Sequence, residues 1–509
     1  MMDQTIELLF NGLSLLFQLE TLWLLFFGLI LGMIAGALPG FTSTNATAIM
    51  LPLTFLMSTH GALVFIGALY CGAMYGGAIP AILFQIPGTP GAGATMIDGY
   101  PMSQQGKADI ALGISLCASS LGGFISAIIL IIILPIMVNY ALRFGPSELF
   151  LISLLGITVI ASLSGSGVHM KKGLIAGLLG ILVSLIPADP VYVRPRIWFG
   201  FWELYDQIPL VPIMMGLYAY PILLSLALKD RVVEVDLEGV EVGSFSKQME
   251  GIKEVFRRPI TVIRSVLLGF FIGAIPGTGA GIATFVSYGQ AMTWSKHPEK
   301  FGKGEPDGII AAEAANNAVT CGAMIPTFTL GIPGSGTTAM MLVAIIMHNL
   351  RPGPQLIRES AEPLYTLLAA LLIAPILLLP IGFLFNRLSA KLTLLSSEYL
   401  VPSIIAMCIV GSYAVRLFTL DIYISLLFGL IGLTMNRLGY PIIPFVLGII
   451  LGPIAEANIL RALRISGGDW SVLYGSTICI TLWILLIAII FALIIFPIFR
   501  AKKNSSTSA

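Results

Sequence analysis

Polar positions are scarce along this chain, and the apolar ones come in long unbroken runs rather than in the strict alternation of a half-buried strand or the narrow stripe of a surface helix. Such runs cover residues 22–38, 108–137, 149–163, 207–228, 364–385, 417–435 and 477–499. Alone or with their flanks they are long enough to cross a hydrocarbon layer of about 30 Å as helices. They predict an all-α polytopic membrane protein with roughly ten to twelve membrane segments.

The polar punctuation divides the chain. The longest polar stretch, residues 229–264, carries Lys229, Arg231, Lys247, Lys253, Arg257, Arg258 and Arg264. Basic loops stay in the cytoplasm, so this stretch reads as a cytoplasmic linker between a first transmembrane half (1–228) and a second (265–499). Arg500, Lys502 and Lys503 place the tail (500–509) on the same side. The first Lys or Arg is Lys107, so the N-terminus has no basic region of the kind that opens a cleaved signal peptide, and none is expected. Asp3, Glu7 and Glu20 argue more weakly for an outside N-terminus.

The two halves repeat each other. Laying GALPGFTSTNAT (36–47) over GAIPGTGAGIAT (273–284) aligns Gly36, Ala37, Pro39, Gly40 and Thr47 with Gly273, Ala274, Pro276, Gly277 and Thr284. A second pair follows in the same order: AIPAILFQIPGTPG (78–91) matches MIPTFTLGIPGSGT (324–337), with prolines seven residues apart in both. The segment broken at Pro276-Gly277 has basic residues on both sides (Arg264; Lys296, Lys300, Lys303), as a re-entrant hairpin entering from the cytoplasm would, whereas its counterpart at Pro39-Gly40 has none. That asymmetry predicts inverted repeats, the construction in which secondary transporters place their binding site.

Chemistry is expected at the breaks. Backbone groups freed at membrane depth are costly unless they are packed in protein or face a polar cavity. The N–H groups at a broken helix attract anions, while carbonyls and hydroxyls coordinate Na+ or donate to a solute. Four breaks carry such groups: Gly40, Thr42, Ser43, Thr44, Asn45 and Thr47; Pro87, Gly88, Thr89 and Gly91; Pro276, Gly277, Thr278, Gly279 and Gly281, with Thr284 following; and Pro333, Gly334, Ser335, Gly336, Thr337 and Thr338. The competing reading is that glycine merely permits close helix packing and proline merely kinks. In GEPDGIIAAEAANNAVTCGAMIP (304–326), Glu313 shares a helix face with Asn316 or Asn317. This makes Glu313 a candidate for cation or proton coupling, or else a cap at the start of a helix. A Na+ site is expected near Ser43, Asn45 and Asn317, and Asp98 and Asp307, beside glycines, read as turn residues.

Composition narrows the classes. Charged residues are 10% of the chain against about 25% in soluble domains, with 57% apolar residues and a mean hydropathy of +0.95. A net charge of +1 gives no nucleic-acid footprint. Five scattered cysteines read as buried hydrophobes, and four dispersed histidines leave no metal constellation. The Gly277, Gly279, Gly281 string lacks the preceding strand and following acid of a dinucleotide site, and there is no phosphate-binding Gly-Lys-Ser/Thr loop. With no nucleophile–base set either, the chain does not read as an enzyme and no organic cofactor is expected. Any pumping must draw on a Na+ or H+ gradient or on a separate ATPase subunit.

These strings, from GALPGFTSTNATAIMLPLTF through YGGAIPAILFQIPGTPGAGATMIDGYPM and GKADIALGISLCASSLGG to PDGIIAAEAANNA and TLGIPGSGTTAMML, resemble the large membrane subunit of the tripartite tricarboxylate transporters, the TctA family. The resemblance implies a subunit in the bacterial inner membrane that imports citrate or a related carboxylate with a periplasmic solute-binding protein and a small membrane subunit, coupled to Na+ or H+. It also implies functional segments at 40–47, 87–93, 276–281 and 333–338 and at Asn316 and Asn317. The alternative is a carrier or exporter of another small anion acting without a binding protein.

Overall fold

The computed structural model describes residues 2–38, 40–163, 168–186, 188–189, 191, 194, 196–205, 209–228, 243–392, 397–489 and 491. Pro39, Lys229, Arg231 and the basic tail at Arg500, Lys502 and Lys503 lie outside them. Every regular element among the described residues is helical. Among the described residues seven helices are long and apolar enough to cross a membrane: Leu19–Ala37, Thr59–Phe84, Thr95–Ala141, Leu210–Ala227, Ala361–Leu388, Thr419–Leu438 and Ile442–Ile465. Shorter apolar helices, among them Pro259–Gly273 and Gly336–Met347, account for much of the remaining apolar sequence, because the breaks cut it into pieces below spanning length. The polarity is inverted relative to a soluble protein. Phe27, Ile132, Leu178 and Leu430 lie exposed, while Glu313, Asn316 and Asn317 are fully buried. A multi-pass membrane protein is the arrangement this requires.

The chain forms two compact units, one of Met1–Met137 with Tyr218–Val415 and one of Val138–Leu217 with Arg416–Ala509. Each half of the sequence therefore contributes to both. Residues 229–264, read as a loop, contain the amphipathic helix Phe245–Phe256 and the first turns of Pro259–Gly273.

In the first unit, matched sequences form matched elements. Leu19–Ala37 is followed by Gly40 with φ +81°, and Pro259–Gly273 by Gly277 with φ +82°. Glycine is the residue that takes this left-handed conformation without strain, and it turns the chain into Ser43–Thr54 and Gly279–Trp294 respectively. Next come Thr59–Gly76 and Pro306–Gly322, each leading directly into a seven-residue helix, Ala78–Phe84 and Met324–Leu330. Both short helices end on a left-handed residue, Gln85 and Gly331, and both are closed by an isoleucine amide donating to a proline carbonyl (Ile86 to Pro80, 3.3 Å; Ile332 to Pro326, 3.2 Å).

Small residues set the helix spacing. Gly28, Gly32 and Gly36 lie directly against the carbonyls of Phe65, Leu69 and Ala73, leaving no room for a Cβ; Gly269 and Gly273 do the same at Ala315 and Val319. Backbones brought this close gain van der Waals contact that larger side chains would prevent. Gly36 and Gly273 thus serve packing, and the glycines beyond them turn the chain.

In the second unit, Val168–Ser184 and Ile442–Ile465 approach through Gly180 and Gly448. Arg196 there holds Glu456 through two parallel hydrogen bonds of 2.7 and 2.9 Å. Arg416 binds the buried Asp421 and donates to the Glu203 carbonyl at 3.1 Å.

Candidate functional site

Across the two halves the four breaks meet in two pairs within the first unit, and the pairs correspond under the sequence match; within the second half the Gly277 amide also donates to the Gly334 carbonyl at 3.0 Å. The start of Ser43–Thr54 lies against the start of Gly336–Met347: Ser43 and Thr337 share a hydrogen bond of 2.8 Å, Thr44 is 3.3 Å from the same hydroxyl, and Gly336 has no room for a Cβ beside the Thr44 side chain. The start of Gly279–Trp294 lies against the 3-10 turn Pro90–Gly93, where a Cβ at Gly91 would stand 3.0 Å from that of Ala280, and one at Gly281 3.6 Å from that of Pro90. Ala280 and Gly91 occupy the repeat positions of Ser43 and Thr337, and Gly281 and Pro90 those of Thr44 and Gly336.

In the first pair two helix N-termini face each other. Thr42 caps Ser43–Thr54 by accepting from the Asn45 amide, and its hydroxyl donates to Asn45 Oδ1. Asn45 Nδ2 donates to the Tyr218 carbonyl at 3.0 Å. Ser335 and Thr338 form a reciprocal capping box on Gly336–Met347, with the Tyr70 hydroxyl 3.1 Å from Ser335 Oγ. The first-turn amides of both helices therefore project their partial positive charge into the same small region, and no Lys or Arg lies in either break.

Asn316 lines the second pair, and Asn317 lies beside Cys71 of Thr59–Gly76. Asn316 Nδ2 donates to the Met74 carbonyl at 3.0 Å, while its Oδ1, against Gly91, has no partner. Asn317 Oδ1 accepts weakly from the Cys71 thiol at 3.9 Å, and its Nδ2 has no partner; neither does Thr89 Oγ1. Two buried polar atoms left unpaired at one break, Thr89 Oγ1 and Asn316 Oδ1, are unusual, since buried polar groups are nearly always bonded. Helix Thr59–Gly76 joins the two pairs, because Tyr70 reaches Ser335, Cys71 reaches Asn317 and Met74 reaches Asn316.

Other candidates take structural positions. Thr47 donates to Ser43 O at 2.8 Å, Thr284 to Gly281 O at 3.1 Å, and Thr278 to Ile272 O at 2.6 Å, so their hydroxyls are spent on local carbonyls. Gly88 and Gly334 lie against the kinks at Gly77 and Ala323. Pro87 and Pro276 are half-buried and Pro333 is buried; Gly40 is exposed, and a Cβ at Gly40 or Gly279 would meet nothing within 4 Å. Of the residues expected to hold Na+, Ser43 and Asn45 lie in the first pair, while Asn317 contacts Cys71 of Thr59–Gly76.

The acidic residues depart from their sequence reading. Glu313 is not at a helix start but in the middle of Pro306–Gly322, accepting from Thr95 Oγ1 and, at 2.8 Å, from Ser119 Oγ. Asp98 is not in a turn but fully buried in Thr95–Met102, accepting from the amides of Gly302, Gly304 and Glu305 at 2.8–2.9 Å and from the Tyr288 hydroxyl at 2.8 Å. Asp307 lies in the first turn of its helix, accepting from Thr261 at 2.7 Å beside Arg258 at 3.4 Å. Tyr70, Thr95 and Ser119 escaped sequence reading because each looks like ordinary helix sequence until its partner, more than 180 residues away, is brought to it.

A model of the family described as "Tripartite tricarboxylate transporter TctA family" matches residues 22–447. An uncharacterized 52.8 kDa protein in the TAR-I ttuC' 3'region of Agrobacterium vitis is 32% identical over 507 residues, 99% of each chain. An uncharacterized protein in the TAR-II ttuC' 3'region of the same organism is 32% identical over 237 residues, 46% of this chain and 97% of its own length. No solved structure matches the chain.

Proposed function

Since the chain belongs to the Tripartite tricarboxylate transporter TctA family, we propose that it is the large, solute-carrying membrane subunit of a secondary active importer for a carboxylate. The solute is citrate or a related di- or monocarboxylate, delivered by a periplasmic binding protein. A small membrane subunit completes the complex in the bacterial inner membrane, and a Na+ or H+ gradient drives uptake.

The observation that carries this reading is the meeting of the Ser43–Thr54 and Gly336–Met347 N-termini at Ser43 and Thr337. Two positive dipole ends oppose each other unless an anion lies between them, and hydroxyls with freed amides suit a carboxylate without a buried Arg. The unpaired Asn316 and Thr89 atoms at the companion pair, and that of Asn317 beside Cys71, support a second set of contacts for solute or ion. The paired contacts favour inverted repeats, with alternating access arising as one pair opens and the other closes.

The test is uptake of labelled citrate, malate and succinate into proteoliposomes holding the complete complex, with and without the binding protein and with Na+ or H+ gradients imposed separately. Accumulation that needs both the binding protein and a gradient is expected. Uptake persisting without either marks a channel, and uptake that needs a gradient but no binding protein marks a carrier acting alone.

A further inference from the structure

Glu313 is 0% exposed. Around it the helix Pro306–Gly322 is buried from Gly308 to Gly322. Its oxygens receive two hydroxyls, Thr95 on one side and Ser119 at 2.8 Å on the other, and no ion pair to it forms among the described residues.

The titratable groups on the elements around it are committed elsewhere. Asp98 on Thr95–Met102 is held by three backbone amides and by Tyr288 of Gly279–Trp294. Tyr75 of Thr59–Gly76 donates to Asn386 at 2.5 Å, and Cys71 to Asn317. On Ala108–Ala141, Asp109 accepts from Gly243, Ser244 and Gln248, and Cys117 is a buried thiol; Cys321 is another on the helix itself. Arg258 pairs with Asp307 and Glu254, and Arg264 of Pro259–Gly273 stacks on Trp294 at 4.4 Å. Lys247, Glu250 and Lys253 of Phe245–Phe256 are exposed.

A carboxylate this far from water needs a second charge or a proton, because two hydroxyl hydrogen bonds do not replace the hydration of a full charge. The 2.8 Å separation between Ser119 Oγ and Glu313 Oε2 is the length of an O–H···O hydrogen bond. Hydroxyls also suit a group that changes protonation, since they accept as readily as they donate.

We propose that Glu313, with Thr95 and Ser119, is the proton-binding site that couples this carrier to an H+ gradient. This rests on the importer reading above and chooses between the ions it left open. Binding adds one proton to Oε1, which then donates to Thr95 Oγ1 while Oε2 still accepts from Ser119; release restores the carboxylate. Thr95 is separated by Ala94 alone from Pro90–Gly93, whose Gly91 lies against Asn316, three residues from Glu313. A shift of that break as solute binds carries Thr95 away from or toward Glu313, and so ties proton exchange to solute movement.

Two measurements on the reconstituted complex test this. Infrared spectra at neutral pH are expected to show the C=O band of a buried, un-ionised carboxyl in the wild type and not in Glu313→Gln; no difference overturns the proposal. An acid-outside pH gradient is expected to drive accumulation of labelled citrate, malate or succinate in the wild type. Glu313→Gln is expected to lose at least tenfold of that accumulation while still exchanging internal for external solute. A variant that accumulates like the wild type, or wild-type uptake driven by Na+ alone at equal pH, overturns it. If Glu313→Gln does not reach the membrane, Ser119→Ala replaces it: loss of the donor to Oε2 must move the C=O band, and an unmoved band counts against the site. Wild-type failure to move any of these acids under any gradient sinks the importer reading instead, and the infrared comparison still decides the proton.

Discussion

Replacing Gly91 by alanine tests whether the second pair of breaks works as a closed contact. The new methyl would run into Asn316 Oδ1 and lie 3.0 Å from the Ala280 Cβ. Ala280 is fixed to its backbone and cannot step aside, so overpacking there costs about 1–3 kcal/mol. Asn316 can turn away, but only by giving up its 3.0 Å bond to the Met74 carbonyl, which leaves buried polar groups unpaired at about 1–3 kcal/mol. Even the low end of the sum, about 2 kcal/mol, is a roughly thirtyfold effect. Carboxylate uptake in proteoliposomes is expected to fall by at least that factor, with a lower thermal midpoint in detergent. Gly289→Ala is the control. A Cβ there meets nothing within 4 Å, and in a helix interior it should be neutral or stabilise by about 0.5–1 kcal/mol. Wild-type uptake in Gly91→Ala would show that the pair is not the closed element supposed.

Asn317→Ala is expected to abolish uptake with little change in thermal midpoint, because its Nδ2 has no partner to lose; Asn45→Ala should also abolish uptake with expression retained. Normal transport in both would remove these residues from the site. Asp98→Ala should act on folding, since it takes the acceptor from three part-buried amides and leaves the buried Tyr288 hydroxyl unpaired at about 1–3 kcal/mol, and a drop in detergent-stable protein is the measurement. Glu254, on the amphipathic helix Phe245–Phe256, is held below the usual carboxylate range first by its hydrogen bond from Arg258, then by Arg257. A lowered folded value means that its contribution is present above about pH 4.3 and is lost as pH falls through the folded value. The thermal midpoint of the wild type should therefore drop more steeply on acidification than that of Glu254→Gln, and parallel curves would contradict the brace.

The sequence by itself determined what depends on local composition. Unbroken apolar runs required helices in lipid, the Pro-Gly breaks required interruptions at residues 40, 88, 277 and 334, and the matched strings announced that the interruptions come in corresponding pairs. It also put Asn316 and Asn317 among the candidates, because amides in an apolar helix are conspicuous. Only the tertiary structure decided which breaks meet, across the halves at Ser43 with Thr337 and Gly91 with Ala280, and within one half at Gly277 with Gly334. It also separated the threonines that turn back on their own helices, such as Thr47 and Thr284, from those that reach across, such as Thr44 and Thr337. The acids were misplaced for the same reason. Whether a carboxylate ends in a turn, as Asp98 was expected to, or in the core is set by the donors brought to it from elsewhere in the chain. Those donors, the amides of Gly302, Gly304 and Glu305 for Asp98 and the hydroxyls of Thr95 and Ser119 for Glu313, carry no mark in the sequence that says where they will be.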